Sequence, residues 1–171
     1  FNPDTEQFDD KETYESIGRG ENLGLFQIET VPMINFCKKF KPCNLDDLSS
    51  VLAIIRPDTM AYIPDILKNK ERPEEITYIH PDMKSILEST HGVLLYQEQL
   101  IEIVKKFGGF TGGQADLFRR AIGKKKPEEV KKWADLFLKQ GVELGYPSSV
   151  IQTLYDDLSA KGGYLFNKSH S

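Results

Sequence analysis

Arg119 and Arg120 open the densest run of cations in this chain, which continues through Lys124, Lys125 and Lys126. Five cations thus fall within eight residues, on a chain of 171 residues whose formal net charge is -4. Arginine presents a planar fork of donors that matches phosphate oxygens two at a time, and lysine adds mobile point charge beside it. The chemistry this points to is recognition of a polyphosphate or of a nucleic-acid backbone. At about 100° per residue, Asp116, Arg119, Arg120 and Gly123 share one helical face, while Leu117, Phe118, Ala121 and Ile122 take the opposite one. The expectation is an apolar face anchored in a core, with two guanidiniums projecting together beside a bare glycine. Lys124, Lys125 and Lys126 sit at and just past the helix end, where they could touch phosphate or merely offset the C-terminal dipole. Gly112 and Gly113 lie on the arginine face one and two turns back. Their missing side chains would admit a base or sugar, though a flexible helix start explains them as well.

Two further polar sets could share such a site. Tyr96-Gln97-Glu98-Gln99 falls where a short strand, Gly92 to Leu95, is expected to meet a helix. Its side chains could hydrogen-bond a sugar or hold the arginine pair, and Glu98 in a first helical turn also suits the dipole. Asn167-Lys168-Ser169-His170-Ser171 is dense in donors and poor in carbon bulk, which suits a phosphate. Carboxylates clustered for two-metal chemistry are missing: no Asp-x-Asp occurs. Asp9-Asp10, Asp46-Asp47 and Asp156-Asp157 are adjacent pairs, expected at helix starts or on exposed faces. No metal site is expected; Cys37 and Cys43 have no zinc spacing and read as ordinary thiols of a reducing compartment.

The elements that must position these residues are helical. Asp10 can cap a helix ending near Gly18, Thr30 with Pro32 opens one to Phe40, and Asn44 with Asp47 opens one through Ile55. Ala61 to Lys70 is expected to be helical despite Pro64, Arg72 to Ile79 a loop, and Pro81 to Glu88 a short helix. Leu100, Ile101, Ile103, Val104 and Phe107 form one side of a helix that Gly108-Gly109 breaks. The basic helix follows Thr111, with Gly123 as its C-terminal residue. Pro127 starts a long helix with a Val130, Trp133, Ala134, Phe137 and Leu138 stripe, and Ser148 caps the last. The class is mainly α, a compact multi-helix domain with at most one small β ribbon. Residues 1–171 are read as one helical domain excised from a longer chain, with 1–9 a flexible lead-in. No apolar run is long enough to span a membrane. Charge is uneven: Val104 to Lys132 carries nine Lys or Arg against three Asp or Glu, whereas the first thirty residues hold eight acids and two bases. That asymmetry can orient an approaching anion.

Ala115-Asp116-Leu117-Phe118-Arg119-Arg120-Ala121-Ile122-Gly123-Lys124-Lys125-Lys126-Pro127-Glu128-Glu129 resembles the nucleotide-binding signature of the C-family replicative DNA polymerases, the family of the bacterial DNA polymerase III alpha subunit. Gly24-Leu25-Phe26-Gln27-Ile28-Glu29, Gly92 to Gln99, and Phe166-Asn167-Lys168-Ser169-His170-Ser171 match further strings of that family in the same order, so the similarity runs from about Asp10 to the last residue. The resemblance implies a fingers domain that binds the incoming dNTP. Arg119, Arg120, Lys124, Lys126 and Lys168 would meet its phosphates. Tyr96, Gln97, Gly112, Gly113, Asn167, Ser169 and His170 would shape the nucleotide or primer-end site. It implies Mg²⁺ held by palm aspartates outside this segment, so that the segment alone binds no cofactor and does no chemistry. The implied partners are dNTP, primer-template DNA, the palm and thumb domains of the same polymerase and other replisome subunits, in a bacterial cytoplasm or that of a phage-infected host. The sequence departs from the family at Arg56-Pro57-Asp58-Thr59 and at Gly112-Gly113-Gln114, where Arg-Pro-Gly-Pro and Leu-Gly-Gly are usual. The first departure puts in doubt a close backbone contact by that loop. The rival readings are a non-catalytic helical module tracking a nucleic-acid backbone and a helical domain whose cations are only surface.

Overall fold

Capping side chains decide where the helices begin. In the computed structural model, which describes residues 7–124 and 127–171, the Asp10 carboxylate accepts the Glu12 N–H at 3.2 Å and opens α1 (Lys11–Arg19). Gly20, at φ 84, closes it in the left-handed conformation that glycine adopts without a Cβ penalty. Thr30 makes no side-chain cap bond before α2 (Val31–Phe40), so Pro32, with its fixed φ in the first turn, sets that start. The Asn44 Oδ1 accepts the Asp47 N–H at 2.8 Å and opens α3 (Leu45–Ile54). Helix α4 (Ile63–Glu71) tolerates Pro64 because the first turn has no intrahelical use for that N–H. Single turns of 3₁₀ helix flank α5 (Lys84–Leu87). Then come α6 (Gln97–Gly108), α7 (Gly112–Lys124), α8 (Pro127–Glu143) and α9 (Ser148–Lys161). Helix α7 thus continues one residue beyond Gly123, and α9 follows Pro147 at the cap position rather than using Ser148 as its cap.

Two apolar clusters hold the described residues. One joins α6 to α9 through Phe107, Phe118, Phe137, Ile151 and Leu154. The other joins α2, α3 and α4 through Phe36, Phe40, Val51, Ile54 and Ile66. The segment before α6 runs between them. Leu94 enters the first cluster, whereas Val93 and Leu95 enter the second, the alternation of an extended backbone. Yet it is no strand. Among the described residues the only β pairing is one parallel bridge between Tyr96 and Phe166. Both faces of Gly92–Leu95 are occupied by helices, and only the short tail lies alongside to pair. Among the described residues the mainly helical class holds, without a ribbon.

Two further expectations need correction. Leu117 is 52% exposed, whereas Ala115, Phe118, Ala121 and Ile122 are buried. The buried face of α7 is therefore rotated toward Ala115, and Leu117 lies at its edge. Asp47 is not a solvated capping residue but is buried. Its carboxylate meets Lys70 Nζ, the Cys43 N–H at 3.0 Å and His91 Nε2 at 2.9 Å. At the start of the chain, the Phe8 carbonyl accepts the Tyr14 hydroxyl at 2.6 Å, which ties part of the expected lead-in to α1; residues 1–6 lie outside the described residues.

Candidate phosphate-binding site

Helix α7 starts with a reciprocal cap. Thr111 Oγ1 accepts the Gln114 N–H at 3.3 Å, while Gln114 Oε1 accepts the Thr111 N–H at 2.9 Å. Gln114, one of the departures from the family string, therefore has a local structural task. A Cβ on Gly112, Gly113 or Gly123 would meet nothing within 4 Å, so the arginine side of the helix is open at both ends.

Between those glycines, Asp116 holds both guanidiniums. Arg119 donates through Nε at 3.0 Å and Nη2 at 2.7 Å to Oδ1, and Arg120 Nε lies 2.7 Å from Oδ2. The hydrogen bonds from Arg119 hold the Asp116 carboxyl below the usual carboxylate value. Arg119 is 21% exposed and Arg120 59%, so the first is partly packed and the second faces solvent. One carboxylate shared by two cations leaves an excess of one positive charge. It also leaves outward guanidinium N–H groups at fixed spacing, an arrangement suited to a multivalent anion. Sequence placed Asp116 on this face but gave it no part in aligning the pair. Lys126 lies outside the described residues, as does the side chain of Lys124.

The tail and the start of α6 form a second group. The Gln97 N–H donates to the Phe166 carbonyl at 2.8 Å, and Gln97 Nε2 donates to the Leu165 carbonyl at 3.2 Å. Asn167 Oδ1 accepts Ser169 N at 3.1 Å and Ser169 Oγ at 2.6 Å, a local turn that sets His170 edge-on to Phe166 with centroids 5.6 Å apart. Lys168 Nζ reaches Asp46 Oδ1 at 2.9 Å and lies over the Tyr96 ring, while its N–H donates to Glu98 at 3.1 Å. Tyr96 itself is buried, and burial pushes its hydroxyl up to about 12. Its contact with Lys168 is made by the ring. Gln99 is buried too: Oε1 accepts the N–H groups of Leu95 and Tyr96, each at 3.0 Å, and Nε2 donates to the Ile86 carbonyl and to Thr90 Oγ1.

A cleft of about 440 Å³ beside this group is lined by Ser85, Ser89, Glu98, Glu102, Lys106 and Lys168 among others, and neither Arg119 nor Arg120 lines it. Of the expected residues, Tyr96 and Lys168 line it. What links the two groups is Gly162, where a Cβ would lie 2.7 Å from Ile122 Cγ2 and 3.1 Å from Leu100 Cδ1. That close approach brings the end of α7 against the start of α6. Sequence reasoning missed Arg56, whose Nη2 donates to the Tyr164 carbonyl at 2.6 Å while its guanidinium covers Phe166. Arg56 and Pro57 match the usual family string; the departure lies at Asp58-Thr59, where Thr59 Oγ1 turns inward to the Ile54 carbonyl at 3.0 Å. Among the described residues no group of three or more His, Cys, Asp or Glu could hold a metal ion. Asp116, Asp46 and Asp47 each already face cations.

The described residues form a helical module that carries paired arginines on an open helix face. The family model of the bacterial DNA polymerase III alpha subunit finger domain matches residues 1–145. The chain is 41% identical over 162 residues to DNA polymerase III subunit alpha of Halalkalibacterium halodurans, 39% to that of Borreliella burgdorferi over 162 residues, and 38% over 165 residues to that of Aquifex aeolicus. Each match covers 95% of this chain and 14% of the relative. The chain belongs to the finger-domain family of bacterial DNA polymerase III alpha subunits.

Proposed function

We propose that this segment holds the triphosphate of an incoming dNTP during template-directed DNA synthesis by a replicative polymerase, and that the bond-forming chemistry resides elsewhere in the polypeptide. The observation that carries this reading is the shared Asp116 carboxylate, which aligns Arg119 and Arg120 on one open helical face. A triphosphate brings about four negative charges, and nucleotidyl transfer depends on positioning and neutralising them. Arg119 and Arg120 supply oriented donors, with Lys124 and Lys126 following in sequence. Lys168, with Asn167, Ser169 and His170, offers a second polar surface for phosphate or a primer end, and Gln97 fixes that surface to α6. Mg²⁺ would be held by carboxylates outside this segment. Primer-template DNA, the palm and thumb domains and other replisome subunits are the partners this reading requires, in the cytoplasm.

The test is made in the intact polymerase. Charge-assisted hydrogen bonds contribute ~1.5–3 kcal/mol each. Arg119→Ala or Arg120→Ala should therefore raise the apparent KM for dNTP, or lower the incorporation rate, by about tenfold or more. Arg→Lys should rescue only in part because an ammonium lacks the planar fork. A collapse of primer-template affinity with normal nucleotide kinetics at saturating DNA would instead favour a module that tracks the nucleic-acid backbone. The 171-residue chain alone, given primed template, dNTPs and Mg²⁺, should extend no primer.

A further inference from the structure

The string Gly24-Leu25-Phe26-Gln27-Ile28-Glu29 takes no part in either polar set. Its loop is nevertheless built with care. Asn22 is buried and donates through Nδ2 to the Ile28 carbonyl at 3.0 Å. Two successive turns follow, Leu25 N to Asn22 O at 3.0 Å and Ile28 N to Leu25 O at 3.2 Å. The Gly24 N–H donates to Glu29 Oε2 at 3.1 Å. Gln27 is held at φ 65, a left-handed conformation that a residue with a Cβ adopts only against a cost. Ile28 is buried and anchors the far end, while Leu25 lines a surface recess together with residues of α1. The product is a defined loop that turns two large apolar side chains outward: Leu23 is 94% exposed and Phe26 85%. Single exposed apolar residues are ordinary on protein surfaces. Two of them on a loop whose backbone is fixed by one buried side-chain bond and two turn bonds are a presented pair.

We propose that the Asn22–Glu29 loop is a docking element, with Leu23 and Phe26 seated in an apolar recess of another domain of the same polypeptide. Charge argues against nucleic acid as the occupant: from Gly20 to Pro32 the chain carries Glu21 and Glu29 and no Lys or Arg. Length argues for an occupant in cis. The matches cover only 14% of each relative, so most of such a polypeptide lies outside this segment. Covalent linkage holds a cis partner at an effective concentration on the order of millimolar, which a second copy does not reach. The proposal rests on the reading of this chain as one segment of a polymerase, not on which side chains hold phosphate.

Chymotrypsin cleavage after Phe26, read by mass spectrometry in the intact polypeptide without DNA or nucleotide, tests it. The expected result is slow cleavage in the wild type. Leu23→Asp, which keeps the cleavage site and removes half of the pair, should accelerate it about tenfold. Cleavage after Phe26 in the 171-residue chain should match the fast rate at every protein concentration. Fast cleavage in the intact wild type, or no acceleration by Leu23→Asp, overturns the proposal. So does protection that appears only when primer-template is added, or protection of the 171-residue chain that grows with its concentration; these point to DNA and to a second copy. Because no dNTP is present, loss of the phosphate assignment at Arg119 and Arg120 would leave this readout unchanged.

Discussion

Oδ1 of Asp47 lies 2.9 Å from Nε2 of His91, joining the first turn of α3 to a turn 44 residues further along the chain. His91 occupies the left-handed region at φ 51, and Gly92 follows at φ 79. The His91 ring meets Phe40 edge-on, and its carbonyl accepts Asn69 Nδ2 at 2.7 Å. The turn that launches the backbone toward Tyr96 and α6 is thus fixed from α2, α3 and α4 together.

Asp47→Asn should therefore destabilise the protein by about 3 kcal/mol or more, because removing one member of a buried pair leaves Lys70 uncompensated. Burial alone would push the Asp47 carboxyl up, but the bonds from His91, Lys70 and Cys43 outweigh it and hold it well below the usual range. A carboxyl whose pKa is depressed by folding stabilises the folded state above its unfolded value, about 3.9, and loses that contribution as pH falls toward its folded value. Denaturant midpoints measured from pH 7 downward should show the gap between wild type and Asp47→Asn narrowing below about pH 4. Equal midpoints at pH 7 would show that the cluster contributes no net stability.

Neighbours on α7 should behave oppositely. Phe118 is buried between Phe110, at a centroid distance of 6.0 Å, and Phe137, also at 6.0 Å. Phe118→Ala should cost about 3–5 kcal/mol through lost burial and a residual cavity. Leu117→Ala, at the exposed edge, should stay within about 0.5 kcal/mol of wild type. Urea unfolding of the two variants separates them, and similar losses would mean that the helix sits in another rotation.

Gln99 offers a test of what the Tyr96-Gln97-Glu98-Gln99 string is for. Its amide satisfies the Leu95 and Tyr96 N–H groups, the Ile86 carbonyl and the Thr90 hydroxyl. Gln99→Ala should cost about 1–3 kcal/mol or more, the penalty of leaving buried polar groups unpaired. Thermal unfolding reads the loss. A variant of unchanged stability would move Gln99 from scaffold to ligand contact.

Much of this architecture was legible because its signals are local. Asp10, Asn44 and the Thr111–Gln114 segment start helices through bonds two or three residues away, and such spacing is visible in any sequence. The common face of Asp116, Arg119 and Arg120 follows from helical periodicity alone. What escaped depends on a second element. Leu117 reads as core until the packing of α6 and α8 fixes the rotation of α7. Asp47 reads as a cap until Lys70 and His91 arrive from other segments. Tyr96 reads as a polar side chain until the apolar cluster of α2, α3 and α4 closes around it, and Gly92–Leu95 reads as a strand until helices occupy both faces. Arg56 and Tyr164 are separated by 108 residues, and no local pattern connects them.

The tail between Tyr164 and His170 closes contacts of very long range. Arg56 reaches it across 108 residues and Asp46 across 122, while the Phe166 carbonyl supplies the partner for the Gln97 N–H. Loops of that size are slow to close and return little until both of their anchoring surfaces exist. The tail therefore docks after α3 and α6 have formed, as a late latch. During synthesis the α6 N-terminus must wait, with its first amide in water, until the whole of this segment has left the ribosome.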